Sequence, residues 1–107
     1  MSDDLDQTDL EARFGQRMLK IYDDGLEIGY RASRFLQKIR ETSGIAEAKR
    51  LLGKHDVSEG FVQLSLLERL DLSLESVVVK EPEWSALFSE EELAIARRRL
   101  EVDESKS

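Results

Sequence analysis

The chain has 107 residues, the length of one small domain, and its balance of 40% hydrophobic and 36% charged residues is that of a soluble globular protein. Sixteen Lys and Arg stand against 23 Asp and Glu, a formal net charge of -7, so the overall field opposes a polyanionic partner, although ten of the sixteen cations are arginine. Cysteine is absent, which excludes disulfides, thiolate metal sites and cysteine nucleophiles, and no apolar run approaches the ~20 residues of a membrane-spanning helix.

Residues 1–7 read as a disordered acidic leader, too acidic and polar for a secretory signal. Residues 8–102 read as a single helical domain and residues 103–107 as a flexible tail. A cytoplasmic location is the default expectation.

A capping box of Thr8 and Glu11 opens the first helix. Leu10, Phe14, Met18, Tyr22 and Leu26 follow every four residues with Ile21 beside them, and Gly29 is the expected stop. Ala32, Phe35, Leu36 and Ile39 form the second apolar stripe, closing near Thr42. Ser43 or Gly44 opens a third helix with Ile45, Ala48, Leu51 and Leu52 inward and Gly53 just beyond it. Asp56 and Glu59 form a capping box for a fourth, carrying Phe61, Leu64, Leu67 and Leu70. Ser73 or Asp71 caps a fifth around Leu74, Val77 and Val78; the three valines are too short and solitary for a sheet. Pro82 suits the first turn of a short helical segment with Trp84, Leu87 and Phe88. Ser89 and Glu92 then cap a last helix carrying Leu93, Ala96 and Leu100, with Glu90 to Glu92 at its positive end and Arg97 to Arg99 toward its negative end. The predicted fold is all-α, a compact orthogonal bundle of about six short helices.

Catalytic signatures are absent: no phosphate loop, no His-Glu-x-x-His, no nucleophile elbow and no calcium loop occurs. His55, the sole histidine, sits in a turn after Gly53-Lys54, where an exposed role is expected. The carboxylates cluster in helix first turns and in the leader, so no catalytic, cofactor-binding or metal-binding residue is assigned. Tyr30, Arg31 and Arg34, with Lys38 one turn on, have the composition of a clamp for an anionic ligand or a base. The competing reading pairs Arg34 with Asp71 or Glu75 and places Tyr30 in the core. Trp84 is either the lid of the core or an exposed anchor for a protein partner. Residues 61–80 also scan as helix, turn, helix, but Glu75, Ser76 and Lys80 are poor equipment for a DNA groove.

Taken together, Gly29-Tyr30, Arg34-Phe35-Leu36-Gln37, Ala48-Lys49-Arg50-Leu51-Leu52, Ser58-Glu59-Gly60-Phe61, Leu70-Asp71-Leu72-Ser73-Leu74-Glu75, Leu87-Phe88, Glu91-Glu92 and Ala96-Arg97 resemble a group of small bacterial all-helical proteins with no settled activity. The resemblance covers about Met18 to Leu100 and departs from the group at Ser43-Gly44-Ile45, where a paired glycine is expected. It implies a module attached to larger proteins, some in nucleic-acid processing or defence, and no catalytic residues to carry over. The leading expectation is therefore a non-catalytic protein-interaction or regulatory module that needs no cofactor. It would bind a protein partner or its own copy through Tyr30, Arg31, Arg34 and Trp84, away from any membrane. The alternative is a nucleic-acid-associated accessory domain in a restriction, defence or DNA-processing context, using Arg31, Arg34, Lys38, Lys49 and Arg50.

Overall fold

The computed structural model describes residues 2–106, with side-chain surroundings for residues 7–102. Among the described residues there are six α-helices, two 3-10 segments and no strand. The expected all-α bundle is the observed architecture, with a radius of gyration of 13.6 Å. No described helix is long and apolar enough to cross a membrane.

Helix α1 runs Ser2–Glu27, so it passes through Thr8 instead of starting there, and the stretch expected as a leader is helical from Ser2. Met1 and the side chains of Asp3, Asp4 and Asp6 lie outside the described set. Phe14, Met18 and Ile21 are buried, whereas Tyr22 is half-buried and Leu26 is exposed. The every-four expectation fails for a geometric reason. Four residues advance about 400°, so the line drifts about 40° per step, and by Leu26 the side chain has turned about 120° away from Phe14. The shorter step from Met18 to Ile21 corrects that drift.

Gly29 ends α1 as expected, at φ +88°. Tyr30 N–H donates to Gly25 C=O (2.8 Å) and Gly29 N–H to Leu26 C=O (3.1 Å), the paired bonds of a Schellman turn. Helix α2 (Ser33–Glu41) buries Ile39 and leaves most of its length polar and exposed. Helix α3 (Gly44–Leu52) is capped by Ser43, whose hydroxyl accepts from Ala46 N–H at 3.1 Å. It packs on α1 so closely that Gly44 lies against Gly15, where a Cβ would meet the Gly15 Cα at 2.6 Å.

Helix α4 (Glu59–Leu66) is capped by Ser58, not Asp56: the Ser58 hydroxyl accepts from Phe61 N–H at 3.1 Å. It stops before Leu67, which is exposed, because Glu68 takes φ 58° and Arg69 N–H donates back to Leu64 C=O at 2.8 Å. The same reversal that Gly29 performs is made here by a glutamate, so no glycine marks it. A 3-10 turn, Leu70–Leu72, leads to α5 (Leu74–Lys80), capped by Ser73. The second 3-10 segment, Pro82–Leu87, precedes α6 (Glu90–Lys106). The Ser89–Glu92 capping box is present in both directions, at 2.9 and 3.1 Å. Since α6 continues to Lys106, Arg97 to Arg99 sit in its middle, not at its negative end, and the stretch expected as a tail is helical to that point. Ser107 lies outside the described residues.

The core is one cluster. Phe14 meets Trp84 and Phe88 edge-on at 5.3 and 5.4 Å, with Met18, Leu52, Val77, Val78 and Ala96 around them. Helix α5, buried along Leu74 to Val78, packs on α6.

Candidate binding groove

Between α2, α3 and the start of α4 lies a concavity of about 530 Å³, within the size range of small-ligand and peptide sites. The turn after α1 and the start of α2 supply Tyr30, Arg31, Arg34 and Lys38 along one wall. Arg34 and Lys38, four residues apart, share one face of α2, and Arg31 stands in the turn just before that helix. Helix α3 contributes Glu47, Arg50 and Leu51, and the α3–α4 turn contributes Lys54 and Val57. The floor is apolar where Phe35, Phe61, Leu64 and Leu74 reach it.

Charge at this groove is unevenly satisfied. Glu47 is buried and held by both arms of the Arg50 fork, at 2.7 and 2.8 Å, which keeps the guanidinium pKa above its usual value. Glu75 lies beneath the floor. Burial pushes its carboxyl pKa up, while Arg99 from α6 opposes that shift across 3.0 Å. The same Arg99 donates to Leu51 C=O (3.2 Å) and Lys54 C=O (2.9 Å), tying α6 to the end of α3 and the turn after it. Tyr30 is half-buried beside the start of α4, and burial, then the Glu59 carboxylate, raises its phenol pKa. Arg31, Arg34, Lys38 and Lys54 are exposed and carry no ion pair among the described residues.

The reading that locked Arg34 onto a carboxylate is corrected. Asp71 is held by Arg69 at 3.0 and 3.1 Å and Glu75 by Arg99, so both proposed partners are already taken. Trp84 is also corrected as a contact residue. It is 4% exposed, packs on Phe14, and donates its indole N–H to Glu81 at 2.8 Å, so no partner reaches it. Glu81 is in turn held by Arg17 at 2.8 Å, which lowers its carboxyl pKa. Lys49 faces away from the groove, bonded to Glu92 at 2.8 Å and lying over the Phe88 ring at 5.1 Å. Of the five cations grouped for nucleic acid, three have no ion pair among the described residues and lie on one wall, Arg50 is engaged by Glu47, and Lys49 is elsewhere. A DNA-reading helix at residues 74–80 is excluded by burial: Glu75 and Ser76 are 2% and 3% exposed.

Sequence reasoning missed Lys54, Glu47 and the apolar floor. Glu47 was findable, because Gly44, Glu47, Ala48, Leu51 and Leu52 fall at the i, i+3, i+4, i+7, i+8 positions of an inward face. Lys54 was not, since nothing local says which groove a turn residue borders. His55 is fully exposed, its side chain 99% accessible, and lies outside the lining. Among the described residues no three His, Asp or Glu side chains gather as a metal site. Comparison with protein-family models, curated proteins and solved structures finds no match to this chain.

Proposed function

We propose that this chain is a non-catalytic interaction module that receives a short segment of a protein partner in the groove between α2, α3 and α4. One observation carries the reading: an apolar-floored concavity rimmed by four cations that have no ion pair among the described residues. Such a floor takes an apolar side chain, and polar groups at its edge orient what enters. The groove carboxylates have structural work that leaves little for acid–base chemistry. Glu47 is engaged by Arg50 and Glu75 by Arg99, while Glu59 stands in the first turn of α4.

Gly60 offers a clean test. It lines the groove, and a Cβ there meets only the Tyr30 hydroxyl at 3.6 Å and Ser58 Oγ at 3.8 Å, ordinary contact distances. Gly60→Trp therefore starts from a Cβ that the site accepts, is expected to bring its indole to the mouth of the groove, and loses a helix-weakening glycine. A random peptide library displayed on phage, selected on the wild-type domain, is expected to yield binders that Gly60→Trp no longer retains while its melting temperature is unchanged or higher. Selection of no peptide, or of peptides that the variant retains equally, overturns the reading.

A further inference from the structure

Resting on that reading, we infer that the segment the groove receives is acidic, with two or three carboxylates flanking an apolar anchor. The groove has four unpaired cations, Arg31, Arg34, Lys38 and Lys54, against one lining carboxylate without a cation partner among the described residues, Glu59. Such a local excess of positive charge stands out on a chain of net charge -7. The two scales do not conflict. At physiological salt the Debye length is about 8 Å, so the distant acidic surface is largely screened, whereas cations at the rim act within contact range. The acidic remainder still penalises misplaced docking, which directs an acidic segment to this one face.

Two features favour a peptide over a nucleic acid. Double-stranded DNA carries a charge about every 1.7 Å of its axis, so a duplex or long strand extends past the groove along a chain whose net charge is -7. Sequence-tolerant binding of single strands also needs several stacking rings. The groove presents Tyr30 at its edge, while Phe35 is half-buried and Phe61 is buried within the floor. That floor instead suits one aliphatic or aromatic side chain from the partner. Arginine at positions 31 and 34 adds the planar fork that grips a carboxylate at two points.

Peptides selected on the wild-type domain are expected to be rich in Asp and Glu. Replacing their carboxylates by the corresponding amides should weaken binding by about tenfold, the sum of two or three exposed charge pairs. The double variant Arg31→Glu with Arg34→Glu, both exposed, should keep its melting temperature, lose the acidic peptides, and recover binding to versions in which the acids are replaced by lysine. Binders that are neutral or basic yet are still blocked by Gly60→Trp overturn this inference and leave the groove reading standing. Binding of a 12-nucleotide single strand, lost in the double variant, with no acidic peptide selected, overturns both in favour of a nucleic-acid site. Association of the domain with itself, abolished by Gly60→Trp and measured by light scattering, replaces the inferred partner by a second copy.

Discussion

Arg99→Met isolates the bond network that joins α6 to the rest of the molecule. Arg99 spans Glu75, Leu51 C=O and Lys54 C=O from a side chain that is 9% exposed, and among the described residues Glu75 has no other cation against it. Methionine keeps an unbranched, helix-compatible stem and removes the charge. The expected cost at neutral pH is about 3–5 kcal/mol, because a buried carboxylate is left without its partner. For a domain this size that is a fall in melting temperature of at least about 12 °C. The pH dependence follows from the direction of the Glu75 shift. Its folded pKa is raised above the unfolded value, so its contribution is fully present below the unfolded pKa and is lost as pH rises through the folded pKa. Removing Arg99 takes away the group that opposes burial, so the folded pKa climbs further and the deficit of the variant grows from acid to neutral pH. On acidification the deficit should shrink toward the cost of the two lost hydrogen bonds to Leu51 and Lys54 C=O, about 1–3 kcal/mol. Urea unfolding near pH 7 and near pH 4, followed by the fluorescence of the sole tryptophan, Trp84, reads both limits. Adding Glu75→Gln to Arg99→Met should remove the pH-dependent part. A deficit that is independent of pH, or below about 1 kcal/mol at neutral pH, refutes the reasoning.

Two touching glycines should respond in opposite directions. Gly44→Ala places a methyl 2.6 Å from the Gly15 Cα, forcing α1 and α3 apart at about 1–3 kcal/mol, whereas Gly15→Ala meets nothing within 4 Å and should gain about 1 kcal/mol of helix propensity. Urea midpoints of the two variants check the signs, and equal effects contradict the packing. Trp84→Ala should cost about 3–5 kcal/mol through the lost contact with Phe14 and the lost indole hydrogen bond to Glu81, read by far-ultraviolet circular dichroism on heating. A variant that melts like wild type returns Trp84 to the surface.

What periodicity and caps determine is local, and most of it was legible. Ser43, Ser73 and the Ser89–Glu92 pair cap the helices they precede, and Gly29 reverses the chain, because each device acts within a few residues of itself. Ala48, Leu51 and Leu52 lie inside for the same reason, since their side chains share one face of α3. Helix ends without a conventional signal escaped. Glu68 adopts the left-handed conformation with no glycine, so the apolar spacing carries the α4 stripe on to Leu67 and Leu70, beyond the end of the helix.

The candidate site belongs to the other category. Arg34 and Arg99 are the same residue type, each on an amphipathic helix, yet Arg99 is locked to Glu75 from 24 positions away and Arg34 has no ion pair among the described residues. A guanidinium's partner depends on which helices the packing brings within hydrogen-bonding distance, and helical periodicity carries no information about that. Trp84 went inward on the same account: whether an aromatic is core or surface was decided by Phe14, seventy positions earlier in the chain, and by the helix contacts that brought the two rings together.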